Sequence, residues 1–171
     1  MSIDVPTPGG PILDTWGAAV AGQLNAIQAV CLDADVTTDS ASAQDVTGLA
    51  FDTEAGRNYM VQLWGVYTVS STAKGLKVSF TYPGGTGQLH LTIYGNGSDV
   101  GLSRHRTNGY LGAGLQGRTS TDSTGYREWR AQMWWQASAD GTLQLQFGRG
   151  GSSGGTGVTM IKGTGLIAVG S

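Results

Sequence analysis

The chain has 171 residues, of which 39% are hydrophobic and 13% are charged, and its formal net charge is −2. A low charge with a large apolar fraction excludes a disordered chain, and the weak negative charge gives no electrostatic basis for binding nucleic acid or anionic lipid. The single cysteine excludes an intramolecular disulfide, and the 29 glycines favour a fold with many tight turns.

Residues 1–11 contain three of the four prolines. Because proline fixes φ and lacks an N–H donor, this segment is predicted to be an extended arm, with Val5, Pro6, Pro8 and Pro11 as its anchoring residues. No secretory signal is expected here, and no apolar run approaches the ~20 residues of a membrane helix. We therefore expect a soluble protein, made in a cytoplasm, that contacts no membrane.

Residues 12–28 are the one segment with a helical pattern, and Asp14 or Thr15 is its expected N-cap. Its apolar side chains recur at steps of three and four and would share one face. These are Leu13, Trp16, Val20, Leu24, Ile27 and, just beyond, Cys31. Such a helix is marginal in isolation, so a partner surface is expected. We predict that residues 1–31 form an anchoring and oligomerisation unit, with Cys31 as a buried small hydrophobe.

From about residue 32 the hydrophobic period changes to two. Residues 76–82, 88–93 and 142–147 alternate apolar and polar side chains, which is typical of strands with one face in a core and one in solvent. Two longer segments, 57–69 and 127–137, are apolar on both faces. Such strands are expected at the centre of a sheet, with the second face covered by a neighbouring subunit. On that second face, Trp64 and Trp134 are candidate interface residues.

Turn signals recur every 8–15 residues between these segments. This spacing predicts an all-β antiparallel sandwich of about nine or ten strands over residues 32–171, of the jelly-roll kind. Residues 98–125 alternate poorly and predict a long loop or short edge strands. The glycine-rich residues 148–157 predict a turn or hairpin tip.

Residue types that carry chemistry are few. His90 lies on the polar side of a strand and is expected in solvent or at an interface, while the arginines beside His105 disfavour a cation site. Asp33 and Asp35 are two residues apart, so they would share one face of a strand and could help to bind calcium, but no loop of further oxygen ligands follows. Gly-x-Ser-x-Gly at 151–155 matches a nucleophile pattern, yet a strand follows it instead of the required helix. The sequence therefore predicts no catalytic, cofactor-binding or metal-binding residues, and no enzyme.

Several loose motifs occur together along the chain. Residues 45–51 read D-V-T-G-L-x-F, residues 54–59 read E-A-G-x-x-Y and residues 72–77 read T-x-x-G-L-K. With G-T-L-x-L-x-F at 141–147, they resemble a virion-surface domain of head-decoration and tail proteins of phages that infect actinobacteria. The W-G-x-x-V-x-x-x-L-N pattern at 16–25 is similar to a helix near the start of many phage minor tail proteins.

This resemblance implies a homotrimer of tumour-necrosis-factor-like or jelly-roll sandwiches, bound to the major capsid protein or to tail proteins of a virion. A capsid decoration protein is the first hypothesis. The alternative is a minor tail or tail-tip protein that binds host envelope glycan through residues 95–125 or its tryptophans. A depolymerase is a third hypothesis, for which the sequence shows no suitable carboxylate pair.

Overall fold

The computed structural model describes residues 26–71, 74–94, 103–108, 115–116, 125–151 and 157–171. These residues form twelve β-strands and no helix, and every strand pairing is antiparallel. The strands are β1 (Ile27–Cys31), β2 (Val36–Thr38), β3 (Gln44–Thr53), β4 (Asn58–Val69), β5 (Lys74–Thr81), β6 (Gly85–Ile93), β7 (Ser103–Asn108), β8 (Leu115–Gln116), β9 (Arg127–Ala137), β10 (Gly141–Gly151), β11 (Val158–Met160) and β12 (Gly165–Gly170). The predicted all-β antiparallel class is confirmed, with more strands than the nine or ten expected.

The strands form two sheets. The eight-stranded sheet has the order β1-β12-β4-β9-β6-β7, with β11 beside β4 and β2 beside β11, and the four-stranded sheet has the order β3-β10-β5-β8. The pairings are nested, because β1 pairs with β12, β2 with β11, β3 with β10, β4 with β9, β5 with β8 and β6 with β7. The chain is thus one long antiparallel hairpin, and its wrapping brings β12 beside β4 and β10 beside β5.

The core lies between the two sheets and follows the predicted alternation of side chains. Inward-facing residues include Leu76, Val78, Phe80, Leu89, Leu91, Ile93, Leu143, Leu145 and Phe147, all of them buried. An aromatic contact joins the sheets, since the ring centroid of Tyr59 in β4 lies 5.5 Å from that of Phe51 in β3. Within the larger sheet, the Tyr59 ring also lies 5.8 Å from that of Trp135. Trp129 and Trp135 are fully buried, so these two tryptophans fill the core.

The chain segment at β1 departs from the predicted helix. Its five residues pair with β12, and the side-chain amide of Gln28 bonds to the backbone N–H and C=O of Asp52 in β3. Because these long-range bonds override the local helical spacing, the helix prediction is wrong for Ile27 and Gln28. The predicted burial of Cys31 is also wrong, because its side chain is exposed. The first sheet strand therefore falls within the predicted unit 1–31. The other predicted helix and arm residues lie outside the described residues: Val5, Pro6, Pro8, Pro11, Leu13, Trp16, Val20 and Leu24.

The structure also changes two predictions for shorter segments. Strand β10 continues through Gly151, although glycine predicted a turn from residue 148 onward. Gly148 packs closely there, since a Cβ atom on it would lie 3.1 Å from the carbonyl oxygen of Ser42. Asp35 lies in the connection between β1 and β2 instead of on a strand, and its carboxylate accepts a hydrogen bond from the backbone N–H of Lys162 at 2.7 Å. This aspartate has a structural partner in the chain itself.

Candidate functional site

The candidate site is the outer face of the eight-stranded sheet, meaning the side turned away from the core. Strands β4 and β9 bury their odd-numbered side chains, so their even-numbered side chains lie on this face. Several large apolar side chains on it are exposed: Ile27 by 55%, Met60 by 58%, Trp134 by 49%, Ile167 by 37% and Val169 by 43%. The second apolar face expected from the sequence is therefore present and is open in the protomer.

Strand register arranges four of these side chains in one row. Ile27 lies opposite Val169, Val169 opposite Met60, and Met60 opposite Trp134. Directly opposed residues in antiparallel strands place their side chains on the same face, with strands about 4.8 Å apart. The row thus forms a continuous apolar band across four strands, roughly 14 Å wide.

The half of this band nearest the sheet edge, together with Ile167 in the neighbouring row, is the edge patch, defined here as Ile27, Ile167 and Val169. Ile27 belongs to β1, the last strand of its sheet on that side among the described residues, and the other two belong to β12. Edge strands with exposed apolar side chains readily pair with or pack on another chain. The edge patch is therefore a candidate association surface.

The other half of the band lies in a surface depression with a volume of about 430 Å³, called here the Trp134 depression. Its lining residues are Met60, Gln62, Gln88, Leu89, His90, Gln132, Met133 and Trp134. Gln88 lies opposite Trp134, and the next row consists of Gln62, Gln132 and His90 on β4, β9 and β6. The depression thus combines one exposed indole with uncharged hydrogen-bonding side chains.

Trp64 occupies a third row on the same face. A Cβ atom on Gly165 would come within 2.7 Å of both the Trp64 ring and the Cys31 sulfur, so these two side chains cover the glycine. This contact covers part of the Trp64 ring, and the side chain is half-buried. In the neighbouring strand β9, Trp64 lies opposite Arg130. The guanidinium of Arg130 is 3.7 Å from the Glu128 carboxylate in an exposed ion pair, which adds little stability.

The structure brings together three of the predicted interface residues, since Ile27, Trp64 and Trp134 share the outer face. Ile167 and Val169 in β12 are not among the interface residues predicted from the sequence, although residues 165–170 read GLIAVG and are apolar on both faces. Gln62 and Gln132 carry no local signal, because only the pairing of β4 with β9 places them side by side.

Other kinds of site find little support among the described residues. No group of three or more His, Cys, Asp or Glu side chains there is arranged to hold a metal ion. His90 is exposed, as expected, and the side chain of His105 lies outside the described residues. The described residues contain no helix that is long and apolar enough to cross a membrane.

No protein-family model matches the chain, and no curated protein matches it. Two structures of infectious bursal disease virus, of the Gx and Gt strains, are similar to it at 10% identity and a TM-score of 0.23, over 85% of this chain. The chain spans about two fifths of the matched viral chains, 41% and 40%. At these TM-scores the likeness does not define a shared fold.

Proposed function

We propose that this chain is a non-enzymatic structural protein of a bacteriophage virion, a capsid decoration protein that binds the particle surface as a homo-oligomer, with a trimer as the expected state. The observation that carries the proposal is the edge patch, three exposed apolar side chains on the two strands at the edge of the larger sheet. Exposed apolar area of this kind is stabilised when another protein surface covers it.

The strand pairing supports the choice of fold within this proposal. A jelly roll is a long antiparallel hairpin wrapped into two sheets, and the nested pairs from β1 with β12 to β6 with β7 follow that plan. Jelly rolls occur in viral capsid domains and lectins. The plan agrees with the tumour-necrosis-factor-like or jelly-roll domain that the motifs at 45–51 and 141–147 resemble.

The N-terminal segment completes the proposal. Strand β1 begins at Ile27, which belongs to the edge patch. In this proposal the predicted helix and proline-rich arm, which precede β1 in the sequence, join protomers around a symmetry axis or reach the major capsid protein. A closed ring of copies would cover the edge patch of every protomer in the same way.

The oligomeric state tests the proposal directly. We expect light scattering coupled to gel filtration to show a homo-oligomer for the full chain, and monomers for the double variant Ile27→Asp, Val169→Asp, because burying two charges costs several kcal/mol. The control is Tyr126→Asp, which changes a 70% exposed aromatic side chain away from the patch and should leave the oligomer intact. A monomeric wild-type chain, or an unchanged double variant, would contradict the proposal.

Copy number on the particle separates the two virion locations. A decoration protein should be present in an amount comparable with the major capsid protein, measured by quantitative mass spectrometry of purified virions. A few copies per particle would instead favour the minor tail or tail-tip role, and absence from the purified particle would contradict both.

A further inference from the structure

The Trp134 depression has a composition that the edge patch lacks. The indole of Trp134 is half exposed, and its directly opposed neighbours are Met60 on β4 and Gln88 on β6. Beside this apolar floor, Gln62 and Gln132 lie opposite each other, and Gln132 in turn lies opposite His90. Six side chains from three neighbouring strands therefore surround one concave area. Strands are rigid supports for such a group, since each side chain is fixed by the register of the sheet.

Three polar side chains of the depression are available to a ligand. Gln62, Gln132 and His90 are exposed, and none of their side chains forms a hydrogen bond with another described residue. An amide side chain offers both donors and an acceptor, so two adjacent amides match the neighbouring hydroxyl groups of a sugar, each of which donates and accepts. No Lys, Arg, Asp or Glu is among the described residues that line the depression.

We infer that the Trp134 depression is a binding site for a neutral carbohydrate chain. One face of a pyranose ring presents C–H groups, which stack on an exposed indole, while hydroxyl groups project from the ring edge toward the amides. The volume of about 430 Å³ falls within the range of roughly 300–1,000 Å³ that is typical of small-ligand clefts. Trp134, assigned to an interface from sequence alone, thus has a ligand-stacking role.

Two other occupants fit the depression less well. Single-stranded nucleic acid also stacks on aromatic side chains, but it requires several cations along the phosphate backbone. The described lining residues include none, and the strand register places one arginine, Arg106 of β7, opposite His90 at the side of the depression. A second copy of the chain is better matched by the edge patch, which has no polar groups to leave unpaired. The inference does not depend on the proposed virion role, because the depression and the edge patch lie on different halves of the face.

The test uses the full-length chain and a defined panel of probes. Soluble dextran, mannan, galactan and arabinan serve as neutral polysaccharides, and dextran sulfate serves as the anionic comparison, each titrated by isothermal calorimetry or ligand-observed NMR. We expect at least one neutral probe to bind. Trp134→Ala should weaken that binding about tenfold or more, because it removes the stacking surface. Gln132→Ala should weaken it about threefold or more, and Trp134→Phe should retain part of it.

The matched control is Tyr126→Ala, which removes a 70% exposed aromatic side chain that does not line the depression and should leave binding unchanged. Circular dichroism and gel filtration of each variant separate lost binding from lost folding or lost oligomer. The inference is overturned by a wild-type chain that binds none of the neutral probes, by stronger binding of dextran sulfate, or by equal affinity of Trp134→Ala and wild type. None of these results affects the oligomer test of the edge patch.

Discussion

At several positions in the core, close packing leaves no room for a side chain, and Gly65 of β4 is the clearest case. It lies opposite Trp129, and a Cβ atom built on it would be 2.6 Å from both the indole nitrogen of Trp129 and the hydroxyl of Thr164. Both neighbours are buried, so an added methyl group would require one of them to shift within the packed structure. The glycine is therefore required by packing, since its backbone has no positive φ.

We predict that Gly65→Ala lowers the free energy of unfolding by about 1–3 kcal/mol, because it overpacks a dense core. Urea unfolding followed by tryptophan fluorescence measures the change. Gln62→Ala is the control on the same strand, since this exposed position should change stability by no more than about 0.5 kcal/mol. Equal stability of Gly65→Ala and wild type would mean that the indole does not pack on this glycine.

Among single residues, Tyr67 makes the free energy of unfolding depend on pH. It is buried, and the guanidinium of Arg127 lies 5.9 Å from the centre of its ring. Burial raises the pKa of Tyr67 to about 12, an effect partly opposed by the charge of Arg127, while the unfolded value stays near 10.0. The folded chain thus holds this proton more tightly than the unfolded chain does, and the resulting stability is present below pH 10 and is lost as the pH rises toward 12.

We predict that Tyr67 makes the free energy of unfolding fall by about 1.4 kcal/mol per pH unit above pH 10. Tyr67→Phe lacks the ionising hydroxyl. The free energy of unfolding of wild type minus that of this variant should therefore decrease between pH 9 and pH 11.5. Urea unfolding at several pH values gives this difference, in which contributions from other titrating groups cancel. A difference that stays constant with pH would show that Tyr67 ionises alike in both states.

At the scale of elements, the β3 strand contains an irregularity that a side chain of β10 holds in place. The register of β10 on β3 shifts between Gln144 and Gln146, and Gly48 supplies a φ of 88° on the extra residues of β3. The Gln144 amide nitrogen donates to the carbonyl oxygens of Val46 at 2.8 Å and Leu49 at 3.0 Å. These carbonyls lie where the ladder is interrupted, so the amide replaces a missing strand partner.

We predict that Gln144→Ala costs about 1–3 kcal/mol of stability, because it leaves part-buried carbonyl groups without a donor. Thr142→Ala is the control, two residues away on the same strand. Its hydroxyl donates at 3.1 Å to the carboxylate of Asp52 at an exposed position, where water replaces the bond, so a loss of about 0.5 kcal/mol is expected. Denaturant unfolding compares the two, and equal losses would contradict a special role for Gln144.

The elements also show which features the sequence can predict. Strict alternation identified the strands around Leu76, Leu89 and Leu143, because burial of one sheet face leaves a period of two in the sequence itself. The same alternation put Trp134 and Trp129 on different faces of one strand, and thereby indicated a second apolar face. Residues 27–31 show the limit of local pattern, since Ile27 and Cys31 also fit helical spacing. Only the long-range pairing with β12 makes this segment a strand.

For the whole molecule, the nested pairing could not be predicted from the sequence, because it joins residues at opposite ends of the chain. Gln28 pairs with Ala168, for example, and neither residue carries a signal of the other. The candidate site depends on the same long-range order, since Gln62, Gln132 and His90 meet only through the pairing of β4, β9 and β6. Thus individual exposed residues of the site are predictable from the sequence, whereas their grouping requires the fold.

The nested hairpin also predicts where the chain tolerates truncation. All buried hydrophobic residues of the described core lie between Leu32 and Ala168, so a chain that starts at Ala26 should keep its free energy of unfolding within about 1 kcal/mol while losing attachment to particles. A chain that starts at Leu32 lacks β1, its five residues paired with β12 and the Gln28 bonds to Asp52. It should lose on the order of 3 kcal/mol and aggregate, because several ladder bonds disappear and β12 becomes an apolar edge strand. Thermal unfolding and gel filtration compare the two chains, and equal stability would show that β1 is dispensable to the sandwich.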